Sequence, residues 1–393
     1  MDLLAGFFQG IPAKRDSDWA DRLSYQISPS AFIIVSTCLN WWSLVGKPIN
    51  CWYAATYTDF WAEYGDDICY ATNTYYVPMF EKTLNMSSAP SSMVPIPRDK
   101  SIKDELALNY YQWTGFFLLF QAACFYLPVK IWSALSSHGN MNIDTILDVV
   151  KWRVSRKDDK KDDDDVQTKK VALFVFHKHA VGRSAGKYNF FCYLLIKCLF
   201  AANAFLQFVA LKHFLGEKNY MWGWKNTKAL WEGYDPETPA FPRNTLCDFD
   251  IYVLGDIHNH TTPCVLTINI VNEKIFLVIW WWLLFIFAAS LTTLLQWIFY
   301  FLIPGHRVAT ISRFVAVIDP KANDTDIKDF VKELRVDGAF LIEVIIAKEG
   351  ELPAADLLKA MWEKYQQEKG RCDNEKNSAK EGVTCEDGDS FIV

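Results

Sequence analysis

The stretch NYYQWTGFFLLFQAACFYLPVKIW, residues 109–132, indicates how this chain of 393 residues folds. Residues 106–129 carry no charge, and about 20 apolar residues are enough to cross a bilayer as a helix. Tyr110, Tyr111 and Trp113 lie at one end of the run, where such rings are buried while their OH or N–H stays in water. The stretch therefore predicts a membrane-spanning helix with an aromatic boundary.

Two polar features of the same stretch favour a packed span over an isolated one. The amide of Gln112 needs hydrogen-bond partners, which a neighbouring helix or an extramembrane domain can supply. Pro128 has no N–H, so it leaves a carbonyl one turn earlier unpaired and bends the helix. A bundle around a water-filled path can use such a bend and can satisfy the freed carbonyl.

Three more runs are long enough to cross a bilayer. Residues 23–46 and 275–305 carry no charge, and residues 189–211 are interrupted only by Lys197, which we expect to snorkel to the interface. Soluble proteins do not carry several such runs, so the sequence predicts four spans. Charged residues are scattered through residues 1–22, so we do not expect a cleaved signal peptide there.

Lysine and arginine set the predicted orientation. Residues 135–188 hold eleven of them, whereas residues 47–108 and 216–274 hold five each. Because loops rich in these residues stay in the cytosol, the middle loop and both termini are predicted to be cytoplasmic. The net charge of −6 does not bear on the predicted orientation, because acidic residues contribute little to topology.

The predicted fold class is a mainly α membrane protein. It has a four-helix transmembrane bundle, a small disulfide-stapled extracellular α/β domain with short strands such as 250–253, and a cytoplasmic helical domain with a turn at 350–353. The predicted segments are an amino-terminal helix (1–22), span one (23–46), the first extracellular loop (47–108), span two (109–134), the cytoplasmic loop (135–188), span three (189–215), the second extracellular loop (216–274), span four (275–303), the cytoplasmic helical domain (304–370) and a disordered tail (371–393).

Each predicted extracellular loop holds two cysteines, Cys51 and Cys69 in the first and Cys247 and Cys264 in the second. Their place on the oxidising side indicates two disulfides, but spacing alone does not choose among the three pairings. A metal site is a weaker interpretation, because neither loop has the short Cys-x-x-Cys spacing that zinc favours.

Other patterns point away from catalysis. His258 and His260 stand close together, but two ligands do not make a metal site. The run RKDDKKDDDDVQTKK, residues 156–170, is typical of a solvated segment and lacks the spaced ligands of a calcium loop. No phosphate loop or nucleophile motif occurs. We therefore expect no enzyme activity, no cofactor, no metal and no nucleic-acid partner.

The sequence also suggests modification and partner sites. The sequons at Asn85 and Asn259 would face the outside and accept glycans, whereas the one at Asn323 would be cytosolic and stay bare. The last four residues, SFIV, fit a peptide that adds a strand to a scaffold domain, although a chance apolar end is the plainer interpretation. Membrane lipids are expected around the spans.

Seven segments together resemble one family, the innexins, which are the gap-junction proteins of invertebrates. They occur in the family's order and cover most of the chain: DWADRLSYQISP (18–29), GKPINCW (46–52), NTYYVP (73–78), YYQW (110–113), FPRNTLCDF (241–249), CVLTINIVNEKIF (264–276) and DGAFLIEVI (337–345).

This resemblance implies a subunit of a large-pore channel. Subunits would form a homo-oligomeric, octamer-like ring that docks with a hemichannel of an apposed cell, and mixed rings with other innexins are an alternative. The resemblance also implies nested disulfides, Cys51 with Cys264 and Cys69 with Cys247. It places Asp2, Leu3, Leu4 and Phe7 in a funnel that lines the pore mouth. The residues by themselves indicate instead an amphipathic helix on the membrane surface.

Two other functions remain open from the sequence. Pannexins share the two cysteines per loop and form large-pore channels that do not pair between cells, whereas connexins carry three. A four-span adhesion or scaffold protein would need no proline bend and no amphipathic amino terminus. Dye transfer between paired cells, compared with currents in single cells, separates the three.

Overall fold

The structure, a computed structural model, describes residues 18–77, 99–138, 146–147, 188–217, 219–233 and 240–378. These residues form two compact units. Unit one comprises the described residues within 1–26, 126–202 and 288–393. Unit two comprises those within 27–125 and 203–287.

The described part of the chain is mostly helical, as the sequence predicts. In chain order the helices are α1 (Trp19–Arg22), α2 (Ser28–Val45), α3 (Asp59–Thr72), α4 (Lys100–Glu105), α5 (Thr114–His138), α6 (Tyr188–Phe214), α7 (Trp222–Trp231), α8 (Thr267–Leu302), α9 (Pro304–Ile318), α10 (Asp324–Glu349) and α11 (Glu351–Ser378).

Among the described residues, four helical stretches are long and apolar enough to cross a membrane, in agreement with the predicted number. They are span one (Trp19–Val45), span two (Thr114–Leu135), span three (Asn189–Phe214) and span four (Thr267–Tyr300). Within span one, a π-helical turn at Leu23–Ile27 joins α1 to α2. It lies directly before Pro29, whose ring and missing N–H disturb regular α-helical bonding to the preceding turn.

Two helix starts differ from the predicted span limits. Helix α5 starts at Thr114 rather than at 109, because residues 110–113 form a turn. In this turn Trp113 N donates to Tyr110 O at 2.9 Å. Helix α8 starts at Thr267, eight residues before the predicted 275. Its polar first turns pack inside the protein, where Asn269 Nδ2 donates to Pro242 O at 3.0 Å. A hydropathy pattern locates the apolar part of a helix but not the polar residues by which the helix extends beyond that part.

Unit two contains a five-stranded antiparallel sheet in the order β1-β5-β4-β2-β3. The strands are β1 (Asn50–Cys51), β2 (Thr74–Tyr75), β3 (Ala107–Leu108), β4 (Asn244–Val253) and β5 (Asp256–Val265). The hairpin β4–β5 is longer than the predicted strand 250–253. In β4, buried Cys247 and Phe249 alternate with Asp248 and Asp250, which is the period-two pattern of a strand with one buried face.

We call the five strands with α3, α4 and α7 the sheet domain. Its core is built around the half-cystines and includes Ile49, Tyr111, Phe249 and Leu266. The span residues of unit two form a separate core, in which Leu118, Phe125, Phe276 and Leu283 are fully buried. Unit two therefore has an apolar core inside the span bundle and a disulfide-bonded core in the sheet domain.

In unit one, α9, α10 and α11 form what we call the helical domain. Their buried apolar faces include Val315, Phe330, Phe340 and Leu357. Gly350 ends α10 with φ of 95°, a conformation that glycine adopts without a Cβ clash. Helix α11 continues to Ser378 and so includes the first eight residues of the predicted disordered tail (371–393). The helix propensity of this polar segment lets the helix extend beyond its apolar face.

Candidate functional site

Two disulfides hold the sheet domain together. Cys51 of β1 lies opposite Cys264 of β5 in the sheet register, and these two residues are bonded with a Cα–Cα distance of 3.9 Å. Cys69 of α3 is bonded to Cys247 of β4, with a Cα–Cα distance of 5.7 Å. This is the nested pairing that the resemblance implied. Both bonds join segments far apart in the chain, which in the chain-entropy account stabilises a fold by roughly 2–4 kcal/mol each.

The metal alternative for these cysteines does not fit. The sulfur atoms of Cys51, Cys69 and Cys264 lie within 4.8 Å of one another, but all three belong to disulfides. A metal ligand must be a thiolate, which a bonded sulfur is not. The same residue types therefore serve as covalent links between the two loops.

The YYQW motif ties the start of α5 to the end of α3. Gln112 Nε2 donates to the carbonyl oxygens of Tyr70 and Ala71, the latter at 3.2 Å. Tyr111 Oη donates to the same Tyr70 carbonyl at 3.3 Å. These carbonyls lie in the last turn of α3, where helical carbonyls have no partner within the helix. The predicted need of Gln112 for partners is met by the sheet domain.

Tyr111 of the motif is buried in protein and Tyr110 is half-buried, whereas the sequence predicted wet hydroxyls at a membrane boundary. Tyr111 is 1% exposed, and burial raises its pKa to about 12. The ring of Tyr110 packs edge-to-face on Phe241 at 5.7 Å between ring centroids, and burial raises the pKa of Tyr110 as well. Of the three aromatic residues of the motif, Trp113 alone is exposed. All three lie before the start of α5 at Thr114.

The free end of the β4–β5 hairpin is apolar and exposed. Its turn contains Leu254 with φ of 50° and Gly255 with φ of 86°. Glycine and asparagine favour these angles, whereas leucine does not. Leu254 is fully exposed, and Tyr252 and Ile257 beside it are 72% and 58% exposed. Within the part of the chain that the structure describes, Leu254 is not buried by any other residue.

Helix α3 adds aromatic side chains to this surface. Phe60, Trp61 and Tyr64 are all largely exposed. Trp61 and Tyr64 line a shallow groove together with Asp250, Ile251 and Tyr252 of the hairpin. We call the set Phe60, Trp61, Tyr64, Tyr252, Leu254 and Ile257 the hairpin patch. An exposed apolar patch with polar neighbours is typical of a protein–protein contact.

Lys197 does not snorkel to an interface, so that prediction was wrong. The side chain is 1% exposed, and its Nζ lies 2.6 Å from Asp18 Oδ2 and 2.5 Å from Asp21 Oδ2. The prediction failed because the two partners lie at the start of span one, 176 or more residues away in sequence. A buried lysine persists when it is paired, and here two carboxylates pair it.

The family model for innexins matches residues 17–365 of the chain. The chain belongs to the innexin family. Three similar relatives are all from Caenorhabditis elegans. Innexin-12 is 32% identical over 93% of this chain and 92% of the relative, Innexin-17 is 31% identical over 93% and 99%, and Innexin unc-9 is 29% identical over 91% and 93%.

Innexins are gap-junction channel proteins and not enzymes, and four apolar helices fit a channel subunit. The comparisons therefore assign this innexin to a channel-forming membrane family. The disulfide-bonded sheet domain and the four spans are the two parts that such a subunit needs.

The other predicted site residues fall into two groups. Pro128 lies inside α5, which continues through it to His138. Asn259 is exposed on β5 and donates from Nδ2 to Asp250 Oδ1 at 2.8 Å. Asp2, Leu3, Leu4, Phe7 and Asn85 lie outside the described residues, as do most of the charged loop and the last fifteen residues of this innexin. Their predicted roles stay predictions.

Sequence reasoning missed two features of this innexin. Asp18 and Asp21 stand three residues apart at the start of an apolar run, and Lys197 is the only charge in another run. A lone lysine inside one predicted span and two aspartates directly before another are a signal of an ion pair, and that signal was available in the sequence. The second missed feature is Leu254, which stands next to Gly255. A Leu-Gly turn is unusual between two strands in which apolar and polar residues alternate.

Proposed function

We propose that this innexin forms a homo-oligomeric, octamer-like ring around a wide aqueous pore in the plasma membrane, with both termini in the cytosol. Two rings on apposed cells dock through their sheet domains, and ions and small molecules pass by diffusion. The orientation is supported by the eleven lysines and arginines of residues 135–188, and by the placement of both disulfides on the same side of the predicted membrane. Mixed rings with other innexins use the same contacts.

The hairpin patch carries the docking proposal. Leu254 is apolar, fully exposed and in a backbone conformation that leucine disfavours, by about 1 kcal/mol or more. A residue that costs stability and packs against none of the described residues of its own chain is explained by contact with another molecule. Burial of Leu254, Tyr252 and Phe60 against a docked ring supplies that contact.

Leu254→Asn tests docking without harming the fold. Asparagine tolerates φ of 50° better than leucine, so the hairpin keeps or gains stability. We expect currents in single cells to match wild type, while conductance between paired cells falls by about tenfold, which corresponds to 1.4 kcal/mol of lost contact. Leu352→Asn, at an exposed leucine of α11, is the matched control and leaves both currents unchanged.

The docking proposal fails if paired cells that express Leu254→Asn conduct as well as wild type at equal surface density. Absence of current in single cells expressing the wild-type chain would instead favour a non-conducting adhesion or scaffold protein. The two failures are therefore distinguishable.

An unpaired channel of the pannexin type is the second candidate, and Asn259 is the observation that favours it. This sequon asparagine is exposed on the same hairpin as Leu254, so a glycan there would obstruct docking. Under this alternative, glycosidase treatment shifts the mass of the purified chain, and Asn259→Gln raises conductance between paired cells. Under the docking proposal, glycosidase treatment leaves the mass of the chain unchanged, and Asn259→Gln leaves the conductance between paired cells unchanged.

A further inference from the structure

Four donors converge on the carboxylate of Asp18. Tyr193 Oη, Lys197 Nζ and Trp297 Nε1 donate to Oδ2 at 3.1, 2.6 and 3.1 Å, and Lys348 Nζ donates to Oδ1 at 2.9 Å. Burial works to raise the pKa of Asp18, but the charges and hydrogen bonds of Lys197 and Lys348 hold it well below its ordinary value. Asp18 is therefore an ionised side chain enclosed by donors.

We call Asp18, Asp21, Lys197 and Lys348 the Asp18 cluster. Its two lysines balance its two aspartates, so the set is neutral. Asp21 and Lys197 are 4% and 1% exposed and form a closed ion pair, whereas Asp18 and Lys348 keep 16% and 14% of their side chains exposed. Lys348 can therefore separate from Asp18 without leaving a fully buried charge unpaired. Its loss would give the enclosed part of the cluster a net negative charge.

The four members of the cluster come from three different parts of unit one. Asp18 and Asp21 lie at the start of span one, and Lys197 lies in span three. Lys348 lies near the end of α10 in the helical domain, and the donor Trp297 lies near the end of span four. One carboxylate thus joins the helical domain to the ends of three spans. A buried ionic network of this kind specifies one arrangement of its elements more than it adds stability.

Helix α10 holds the same span ends through further contacts. Asp337, which is fully buried, accepts the backbone N–H groups of Asn189 and Phe190 at the start of α6. Tyr300 Oη of span four donates to Ala339 O at 3.2 Å. Arg335 interrupts the helix just before these residues with φ of 55° and ψ of −168°. The part of α10 that follows this strained break can therefore change direction together with the span ends it holds.

We propose that Asp18 is a positioning residue of the channel, through which Lys348 makes the helical domain control the equilibrium between open and closed spans. A displacement of α10 withdraws Lys348 from Asp18, and the unbalanced carboxylate then shifts the ends of spans one, three and four. The proposal rests on the channel function of the family and adds a route by which events in the cytosol act on the pore. Couplings of this type change an equilibrium by about fivefold or more.

Lys348→Met, Asp18→Asn and their double variant form the test, with currents in single cells normalised to surface density. Each single variant is expected to change the ratio of open to closed channels by about fivefold or more. The double variant is expected to differ from wild type by less than the combined single effects, because both changes break the same contact and the double variant restores neutrality. Lys348→Arg keeps the charge and is expected to behave as wild type.

Lys369→Met is the matched control. It breaks the 2.5 Å ion pair of Lys369 with Asp326 inside the helical domain and leaves the Asp18 cluster intact. We expect wild-type gating from it. Equal gating in Lys348→Met and wild type, or strictly additive effects in the double variant, would overturn the proposal. So would a failure of Lys348→Met and the double variant to reach the surface while Lys369→Met reaches it, because the contact would then serve folding alone.

Discussion

The amide of Gln112 shows how one side chain links the start of span two to the sheet domain. It donates to two carbonyl oxygens in the last turn of α3, while its own backbone leads into α5. Helix ends leave four carbonyls without intrahelical partners, and here a residue distant in sequence supplies the donors. The motif that marks the family therefore has a local structural task.

Gln112→Glu is expected to destabilise the sheet domain by about 1–3 kcal/mol, because the new carboxylate would face carbonyl oxygens without a donor. The thermal midpoint of the detergent-purified protein measures the effect. Gln367→Glu makes the same chemical change at an exposed site of α11 and should leave the midpoint unchanged. Equal midpoints for Gln112→Glu and wild type would refute this role of Gln112.

Asp248 gives the sheet domain a defined pH dependence. Burial works to raise its pKa, but hydrogen bonds from Lys103 and Thr261 and the charge of Lys103 lower it below 3.8. An acid with a lowered pKa stabilises the fold above its unfolded pKa, and the stabilisation is lost as the pH falls through the folded value. Lys103→Met should therefore lower the thermal midpoint at about pH 7 and change it much less at about pH 3. A midpoint difference that is the same at both pH values would contradict the assignment.

Among the helices, close polar contacts fix the spacing of the spans in unit two. Ser36 Oγ of span one donates to Gly115 O of span two at 2.7 Å, and a Cβ at Gly115 would lie 2.2 Å from Asn40 Oδ1. Spans two and three meet through Gln121 and Gln207, each of which donates from its side chain to the backbone carbonyl of the other at 3.3 and 3.5 Å. These polar residues of the spans thus serve interhelical hydrogen bonds.

Pro128 is expected to matter for function more than for insertion. It removes one backbone hydrogen bond in the middle of α5, so Pro128→Ala restores that bond and straightens the helix. We expect surface density to stay at the wild-type level while conductance or gating changes, by about twofold or more on the scale of modest coupling energies. Leu127→Ala, at the exposed neighbour, is the control and should conduct as wild type. Wild-type currents from Pro128→Ala at equal surface density would show that the proline is not needed.

For the whole chain, two kinds of long-range link stand out: the two disulfides in unit two and the Asp18 cluster in unit one. Each joins segments that are far apart in sequence, by covalent bonds in the sheet domain and by buried charges in unit one. Disulfides persist in an oxidising compartment, whereas ion pairs can form and break. The docking that we propose would use the covalently linked sheet domain, and the gating that we propose would use the Asp18 cluster.

The family resemblance implies that the amino-terminal segment places Asp2 in the pore mouth, where a ring of subunits would repeat one carboxylate. Such rings favour cations. Asp2→Lys should shift permeability toward anions, and the reversal potential under a salt gradient measures the shift. Asp2→Asn is the matched intermediate and should give a smaller shift in the same direction. Unchanged selectivity in Asp2→Lys would favour the surface-helix interpretation of residues 1–10.

The sequence by itself determined the four spans, the helical domain and the family, because these depend on charge-free runs and on motifs that are contiguous in the chain. It also showed which cysteines form disulfides, but only the resemblance indicated how they pair. Tertiary structure decided what Lys197, Gln112 and Tyr111 contact, because their partners lie far away in sequence and spacing carries no information about them. It also decided that the turn at Leu254 is exposed, since an alternating pattern predicts a strand but does not show what lies beyond its end.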